Sequence, residues 1–217
     1  MKRLYSIIIS ITAVISVFSG SAVISNAANN SNDANGLKIN NEYKIEDADG
    51  LHIRYVVMAT NTSGKDLEVF AVFNANASNG QIVKTVSDDA YAVKSGQSFM
   101  LYGQFKNSDI EDATDFSYDL KTSDTSLCRY DAVSLDVAKA EDNTLSVTGT
   151  NYSTEDIGCI NVRTVFFKDG APVAFDTVNI GDSGYLLRSG SSNTQELGML
   201  LEDYDNYVVT YVAADDM

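Results

Sequence analysis

The alternation of apolar and polar side chains with a period of two residues is the feature that most constrains the fold of this chain. In residues 51–57 every second side chain is apolar, and His52 and Arg54 lie between them. A β-strand points successive side chains to opposite faces, so this period predicts strands with one buried face. Similar patterns, or runs rich in Val, Ile, Phe and Tyr, occupy residues 99–105, 116–120, 133–137, 159–167, 173–180 and 206–213.

Turn-forming pairs that contain glycine separate these segments. Glycine supplies positive φ angles, and Asn, Asp or Ser supplies local hydrogen bonds. Many short strands joined by such turns predict an all-β fold of antiparallel β-sandwiches, and no helical stretch is readily placed in the mature chain. The pairs are Asp49-Gly50, Asn79-Gly80, Ser95-Gly96, Asp169-Gly170 and Ser189-Gly190.

The order of these turns repeats between the two halves of the chain. The segment 61–67, which begins Asn-Thr-Ser, precedes the segment 151–157, which begins Asn-Tyr-Ser, by 90 positions. One unit of about 80 to 90 residues has the size of a small sandwich. The repeat therefore predicts two tandem immunoglobulin-like β-sandwich domains, at residues 37–125 and 126–217.

The amino-terminal residues indicate export. Lys2 and Arg3 precede an apolar run over residues 4–18, and small residues follow as far as Ala27. This order is typical of a secretory signal peptide, residues 1–27, cleaved after Ala27. An uncleaved anchor helix is the alternative, because the apolar stretch has nearly the length of a membrane span. Residues 28–36 contain no side chain able to build a core, which predicts a disordered leader.

The negative charge of the chain limits the classes of partner that it is expected to bind. It carries 15 basic and 30 acidic residues, for a formal net charge of −15, and removal of Lys2 and Arg3 with the signal peptide gives −17. Such a field repels nucleic acid and anionic lipid and favours cationic partners or loosely held divalent ions. We expect an extracellular protein, secreted or associated with the cell surface, with no nucleic-acid partner and no membrane span after signal cleavage.

The second half resembles a known family. Residues 147–173 contain a Gly, an Asn-x-Ser turn, an apolar strand and an Asp-Gly hairpin, and Ser189-Gly190 and residues 203–207 follow. This order resembles the FxLYD-type domains of exported Gram-positive bacterial proteins, over about residues 130–213. The resemblance implies an immunoglobulin-like sandwich in an extracytoplasmic interaction or accessory domain, and it brings no catalytic residues.

Few residues offer catalytic chemistry. His52 is the single histidine and lies on the polar face of its predicted strand. Cys128 and Cys159 have no local nucleophile signature, and they form either a disulfide or two packed thiols. Acidic pairs such as Asp88-Asp89 fall in predicted loops and are typical of solvated turns. We therefore expect no enzyme activity, no catalytic residues and no cofactor.

Two acidic turns are candidates for a weak calcium site. Residues 46–50 and residues 203–206 each place oxygen ligands at alternating positions. Neither matches the twelve-residue calcium loop, so the sequence assigns no metal ligands. Tyrosines near turns are candidates for stacking on a sugar, although ordinary packing is the simpler interpretation. They are Tyr91, Tyr152, Tyr185 and Tyr204.

These observations lead to one functional prediction and one alternative. The prediction is an exported, non-enzymatic interaction or accessory protein that binds another protein or a cell-envelope component, because sandwich edges and end loops are ready binding surfaces. The alternative is a carbohydrate- or calcium-associated surface module.

Overall fold

The computed structural model describes residues 33–181, 186–198, 201 and 203–215. Within them the regular structure is extended, apart from two 3₁₀ turns at Asn107–Asp109 and Tyr130–Ala132. None of the described helices is long and apolar enough to cross a membrane. The strands are β1 Asp33–Ala34, β2 Leu37–Glu46, β3 His52–Asn61, β4 Leu67–Ala77, β5 Ile82–Val93, β6 Ser98–Lys106, β7 Ala113–Asp124, β8 Val133–Lys139, β9 Leu145–Asn151, β10 Cys159–Lys168, β11 Ala171–Asn179, β12 Ser192–Leu197 and β13 Asn206–Ala214.

The strands form four antiparallel sheets, which confirms the predicted all-β class. In the first half, the sheet with strand order β1-β2-β3-β6 and the sheet β5-β4-β7 supply most residues of one apolar core, which Val212 of β13 also joins. In the second half, the sheets β11-β10-β13 and β12-β9-β8 supply those of another. The predicted strands at 159–167, 173–180 and 206–213 correspond to β10, β11 and β13. All five glycines of the predicted turn pairs have positive φ angles.

The expected leader extends too far. Residues 33–36 belong to the first sheet, because β1 pairs with β2 through a turn in which Asn35 and Gly36 have φ angles of 58° and 76°. Two positive φ angles suit an Asn-Gly hairpin turn. The Asn35 side chain also donates a hydrogen bond to the carbonyl of Leu120 in β7 (3.0 Å). The prediction of disorder is therefore wrong for residues 33–36, and residues 28–32 lie outside the described part of the chain.

A fully buried asparagine at the end of β3 explains the Asn-x-Ser turn. The Nδ2 group of Asn61 donates to the carbonyls of Lys65 (2.7 Å) and Val93 (2.9 Å). Its Oδ1 atom accepts hydrogen bonds from the backbone N–H (3.0 Å) and the hydroxyl (2.7 Å) of Ser63. One side chain thus closes the turn and ties it to the end of β5.

The same network occurs in the second half. Asn151, also fully buried, donates to the carbonyls of Glu155 (2.8 Å) and Leu187 (2.9 Å). Its Oδ1 atom accepts from the N–H (2.9 Å) and the hydroxyl (2.7 Å) of Ser153. The internal repeat therefore reflects a shared hydrogen-bond pattern at equivalent strand ends.

Strand β3 departs from the sequence prediction of one buried face. Tyr55 and Val57 face the first core, but Val56 and Met58 on the opposite face are also buried, at 0% and 8% exposure. They pack with residues of the second half, including Phe175 of β11. A strand buried on both faces loses its polar alternation, which explains the continuous apolar run of residues 55–59. The facing sheets of the two halves therefore pack against each other.

An arginine from the second half crosses this contact. The guanidinium of Arg163 forms a bidentate ion pair with Asp88 and donates to the carbonyls of Met100 (2.7 Å) and Asp89 (3.2 Å). Its Nε atom donates to Asn161 (2.6 Å). All five guanidinium N–H groups are therefore used.

Asp88 is consequently placed differently from the sequence prediction. The prediction of a solvated turn is wrong, because Asp88 lies within β5 and its side chain is 13% exposed. Burial raises the pKa of this carboxyl group, and the charge of Arg163 opposes that rise. The sequence pattern did not reveal this position because its partner is 75 residues away.

The two cysteines are thiols in this structure. Both pair with Ala214, Cys159 in the β10–β13 ladder and Cys128 in an isolated bridge, so β13 lies between them. Two steps across a sheet separate Cα atoms by about 10 Å, whereas a disulfide needs less than about 7 Å. A direct bridge would therefore require movement of the backbone.

The buried asparagines generate a stability prediction. We expect Asn61→Ala and Asn151→Ala each to lower the free energy of unfolding by about 2–4 kcal/mol, because each change leaves buried backbone groups unpaired. Urea denaturation measures the loss. Asn40→Ala is the control, since Asn40 lies at the surface and bonds only the Thr60 hydroxyl among the described residues. Losses no larger than in the control would contradict this role.

The ion pair between the halves generates a second prediction. We expect Arg163→Met to lower the free energy of unfolding by about 3–5 kcal/mol, because the Asp88 carboxylate remains buried without its partner. Adding Asp88→Leu to Arg163→Met removes that charge, so the double variant is expected to be more stable than Arg163→Met alone. Urea denaturation of both variants measures the difference. A double variant no more stable than Arg163→Met alone would contradict this role of the ion pair.

Candidate functional site

A cleft of about 450 Å³ lies at the edge of the contact between the two halves. The first half supplies the turn between β2 and β3 and the side chain of Arg54. The second half supplies residues of β11, the end of β12 and Leu201. The charged groups in its lining are Asp47, Asp49, Arg54, Asp176 and Glu196.

The β2–β3 turn holds two of the carboxylates in place. The N–H of Asp47 donates to the carbonyl of His52 (3.0 Å), and the N–H of Gly50 donates to the carbonyl of Asp47 (2.9 Å). Gly50 has a φ angle of 67°, which glycine adopts without steric cost. The Oδ1 atom of Asp49 accepts the N–H of Leu51 (2.7 Å), and this bond is the main cause of the lowered pKa of Asp49.

Arg54 connects this turn to the second half. It lies two residues beyond His52 on β3, and its Nη1 atom donates to the carbonyl of Phe175 (2.5 Å). The guanidinium lies 5.5 Å from the centre of the Phe175 ring, a cation–π arrangement. Its Nε atom is 2.9 Å from Oδ1 of Asp47. Burial raises the pKa of Asp47, and the charge of Arg54 opposes that rise.

The opposite wall combines an anchored carboxylate with an exposed one. Asp176 accepts the backbone N–H of Gly198 (2.9 Å) and of Thr177 (2.8 Å). Glu196 projects from β12 and is exposed. Ala174, Phe175, Val178 and Leu201 contribute apolar surface to the same cleft.

The electrostatic balance of the cleft is negative. The described residues of its lining contain four carboxylates and one guanidinium, and Arg54 already has Asp47 and a backbone carbonyl as partners. Among the described residues, neither Asp176 nor Glu196 forms an ion pair with lysine or arginine. Low-dielectric walls lined by one sign of charge attract the opposite charge.

One group of metal-ligating atoms borders the cleft. Ligand atoms of Asp47, Asp49 and His52 all lie within 4.8 Å of one another. The sequence singled out this turn as a calcium candidate, but it interpreted His52 as a solvated or hydrogen-bonded strand residue and not as a ligand. His52 is partly buried, and its Nδ1 atom lies 3.0 Å from Oδ2 of Asp49. Two carboxylates suit a hard cation, although Arg54 competes for Asp47.

The second acidic turn differs, because lysines neutralise it. Lys168 forms an ion pair with Asp203 at 2.5 Å. Asp205 accepts the backbone N–H of Asp169 (2.7 Å), and Lys139 donates to the carbonyl of Tyr204 (3.0 Å). This turn therefore supports the β10–β11 hairpin.

The tyrosines singled out near turns divide in the structure. Tyr152 is 72% exposed, whereas Tyr204 is 2% exposed and packs its ring against Phe166. Tyr185 lies outside the described residues. The exposed aromatic rings of the described residues, Phe70 and Tyr152, belong to different halves of the chain and do not form one stacking platform.

Comparisons with known proteins provide no family assignment. No family model and no curated protein matches the chain. Among solved structures, a transglutaminase from red sea bream is similar at 12% identity with a TM-score of 0.26, over 83% of this chain and 29% of that protein. A β-glucuronidase from glycoside hydrolase family 2 is similar at 14% identity with a TM-score of 0.18, over 76% of this chain and 20% of the enzyme.

Proposed function

We propose that this chain is an exported, non-enzymatic binding protein built from two tandem immunoglobulin-like β-sandwich domains. It acts at the cell surface or in the medium and binds another protein or a cell-envelope component. The signal-peptide pattern of residues 1–27 and the resemblance of residues 130–213 to FxLYD-type domains support this proposal. The equivalent hydrogen bonds of Asn61 and Asn151 support two related units.

The observation that carries the proposal is the cleft between the two halves. Small-molecule and side-chain sites are usually concave and mostly apolar, with a few placed polar groups, and volumes of about 300–1,000 Å³ are typical. The cleft combines an apolar lining with fixed carboxylates. Arg54 and Arg163 hold the two halves together, because each donates to a backbone carbonyl of the opposite half. A partner therefore meets a preorganised surface, which lowers the entropic cost of binding.

Site-specific photo-crosslinking tests this function. We expect a benzoylphenylalanine at position 48, replacing exposed Ala48 at the cleft, to give a discrete adduct on irradiation of producing cells. The matched control replaces Tyr152, which is exposed and absent from the cleft lining. Immunoblotting detects the adduct, and mass spectrometry identifies the partner. No adduct at position 48, or the same adduct at both positions, would contradict binding through the cleft.

A calcium-associated surface module is the second candidate function. The observation that favours it is the convergence of Asp47, Asp49 and His52 within 4.8 Å. Carbohydrate binding, the other form of this module, is supported among the described tyrosines by the exposed ring of Tyr152.

Thermal unfolding tests the calcium module. If calcium binds here, chelation lowers the melting temperature, added calcium restores it, and Asp49→Asn abolishes the response, because ligand binding to the native state stabilises it. Asp203→Asn is the matched control, since Lys168 neutralises that carboxylate. A melting temperature that does not respond to calcium or chelator would eliminate this candidate.

A further inference from the structure

We propose that the cleft between the halves binds an arginine or lysine side chain of the partner polypeptide. This inference rests on the proposed function and specifies the chemistry that the cleft recognises.

The charges of the cleft favour a cationic ligand. Asp49, Asp176 and Glu196 remain without an arginine or lysine ion-pair partner among the described residues, and the single guanidinium of the lining is committed to Asp47 and Phe175. Backbone N–H groups orient Asp49 and Asp176. A cation that enters therefore meets carboxylates already fixed in position, whereas an anion is repelled.

The apolar part of the lining favours a long side chain over a bare ion. Ala174, Val178 and Leu201 line the same cleft as the carboxylates. The methylene groups of arginine or lysine cover apolar surface of this kind while the charged end reaches a carboxylate. A small hydrated metal ion gains nothing from these residues, since calcium takes oxygen ligands.

The cleft already accommodates one guanidinium of the chain itself. Arg54 lies over the Phe175 ring at 5.5 Å and contacts Asp47 at 2.9 Å. Its environment combines an aromatic face with a carboxylate, which is the arrangement that guanidinium groups prefer. The neighbouring carboxylates Asp176 and Glu196 offer the same chemistry to an incoming side chain.

Titration with a matched pair of peptides tests the inference. The probes are an acetylated, amidated pentapeptide with one arginine between glycines and the same peptide with neutral citrulline. Amide resonances of the labelled protein around Gly198 and Phe175 are expected to shift with the arginine peptide. The citrulline peptide is expected to bind about tenfold more weakly, because it lacks the charge while keeping the shape.

Two variants locate the interaction. Glu196→Gln is expected to weaken the arginine peptide about threefold to fivefold, the range of a solvent-exposed ion pair. Glu68→Gln removes the same charge from exposed Glu68 of β4, which is absent from the cleft lining, and is expected to leave affinity unchanged. Higher salt is expected to weaken binding by screening.

Three outcomes would overturn the inference. The first is equal affinity for the arginine and citrulline peptides, and the second is an equal loss of affinity in Glu196→Gln and Glu68→Gln. The third is that calcium alone shifts the amide resonances around the cleft and neither peptide does. None of these outcomes affects the photo-crosslinking result at position 48, which tests the proposed function separately. An adduct there without discrimination between arginine and citrulline would retain the binding function and reject only the cationic side chain.

Discussion

The packing of one sheet of the first half against one sheet of the second half is the contact on which the other features depend. It buries the outer face of β3 at Val56 and Met58, against Val165 and Phe175. Fully burying a side chain of this size contributes about 1.5–3 kcal/mol, so several such groups stabilise the docked arrangement appreciably. The contact also brings the β2–β3 turn to β11 and β12, and the cleft exists only because the two halves meet there.

Two arginines define how the halves dock. Arg163 enters the first half and pairs with Asp88, and Arg54 enters the second half and donates to the carbonyl of Phe175. Buried ion pairs recover little net energy after desolvation, but an unmatched partner is costly, so they penalise other orientations strongly. On this view apolar burial supplies most of the stability, whereas the arginines select the geometry. Arg54 also affects the cleft, because its ion pair with Asp47 leaves the other carboxylates of the described lining without a lysine or arginine partner.

The sequence predicts the positions of strands and turns better than it predicts which faces of the strands are buried. Strands β10, β11 and β13 and the glycines of the turn pairs were predicted, because alternation and turn chemistry are local properties, whereas β12 was not. The single buried face expected for β3 was wrong, since Val56 and Met58 on its other face are also buried between the halves. Asp88 was misplaced for the same reason. Only part of the candidate site could be predicted from the sequence. Asp47 and Asp49 lie in one acidic turn, whereas Asp176 and Glu196 come from distant segments.

The sequence by itself determined the all-β class, the positions of most strands and turns, the repeated Asn-x-Ser pattern and the acidic charge. Each depends on interactions among residues close in the chain or on composition. The tertiary structure alone decided which strands are buried on both faces. It also decided that β13 lies between Cys128 and Cys159 and that an acidic cleft forms between the halves. These features depend on contacts between residues far apart in the chain, such as the 75 positions between Arg163 and Asp88 and the 121 between Arg54 and Phe175. No local pattern encodes such contacts.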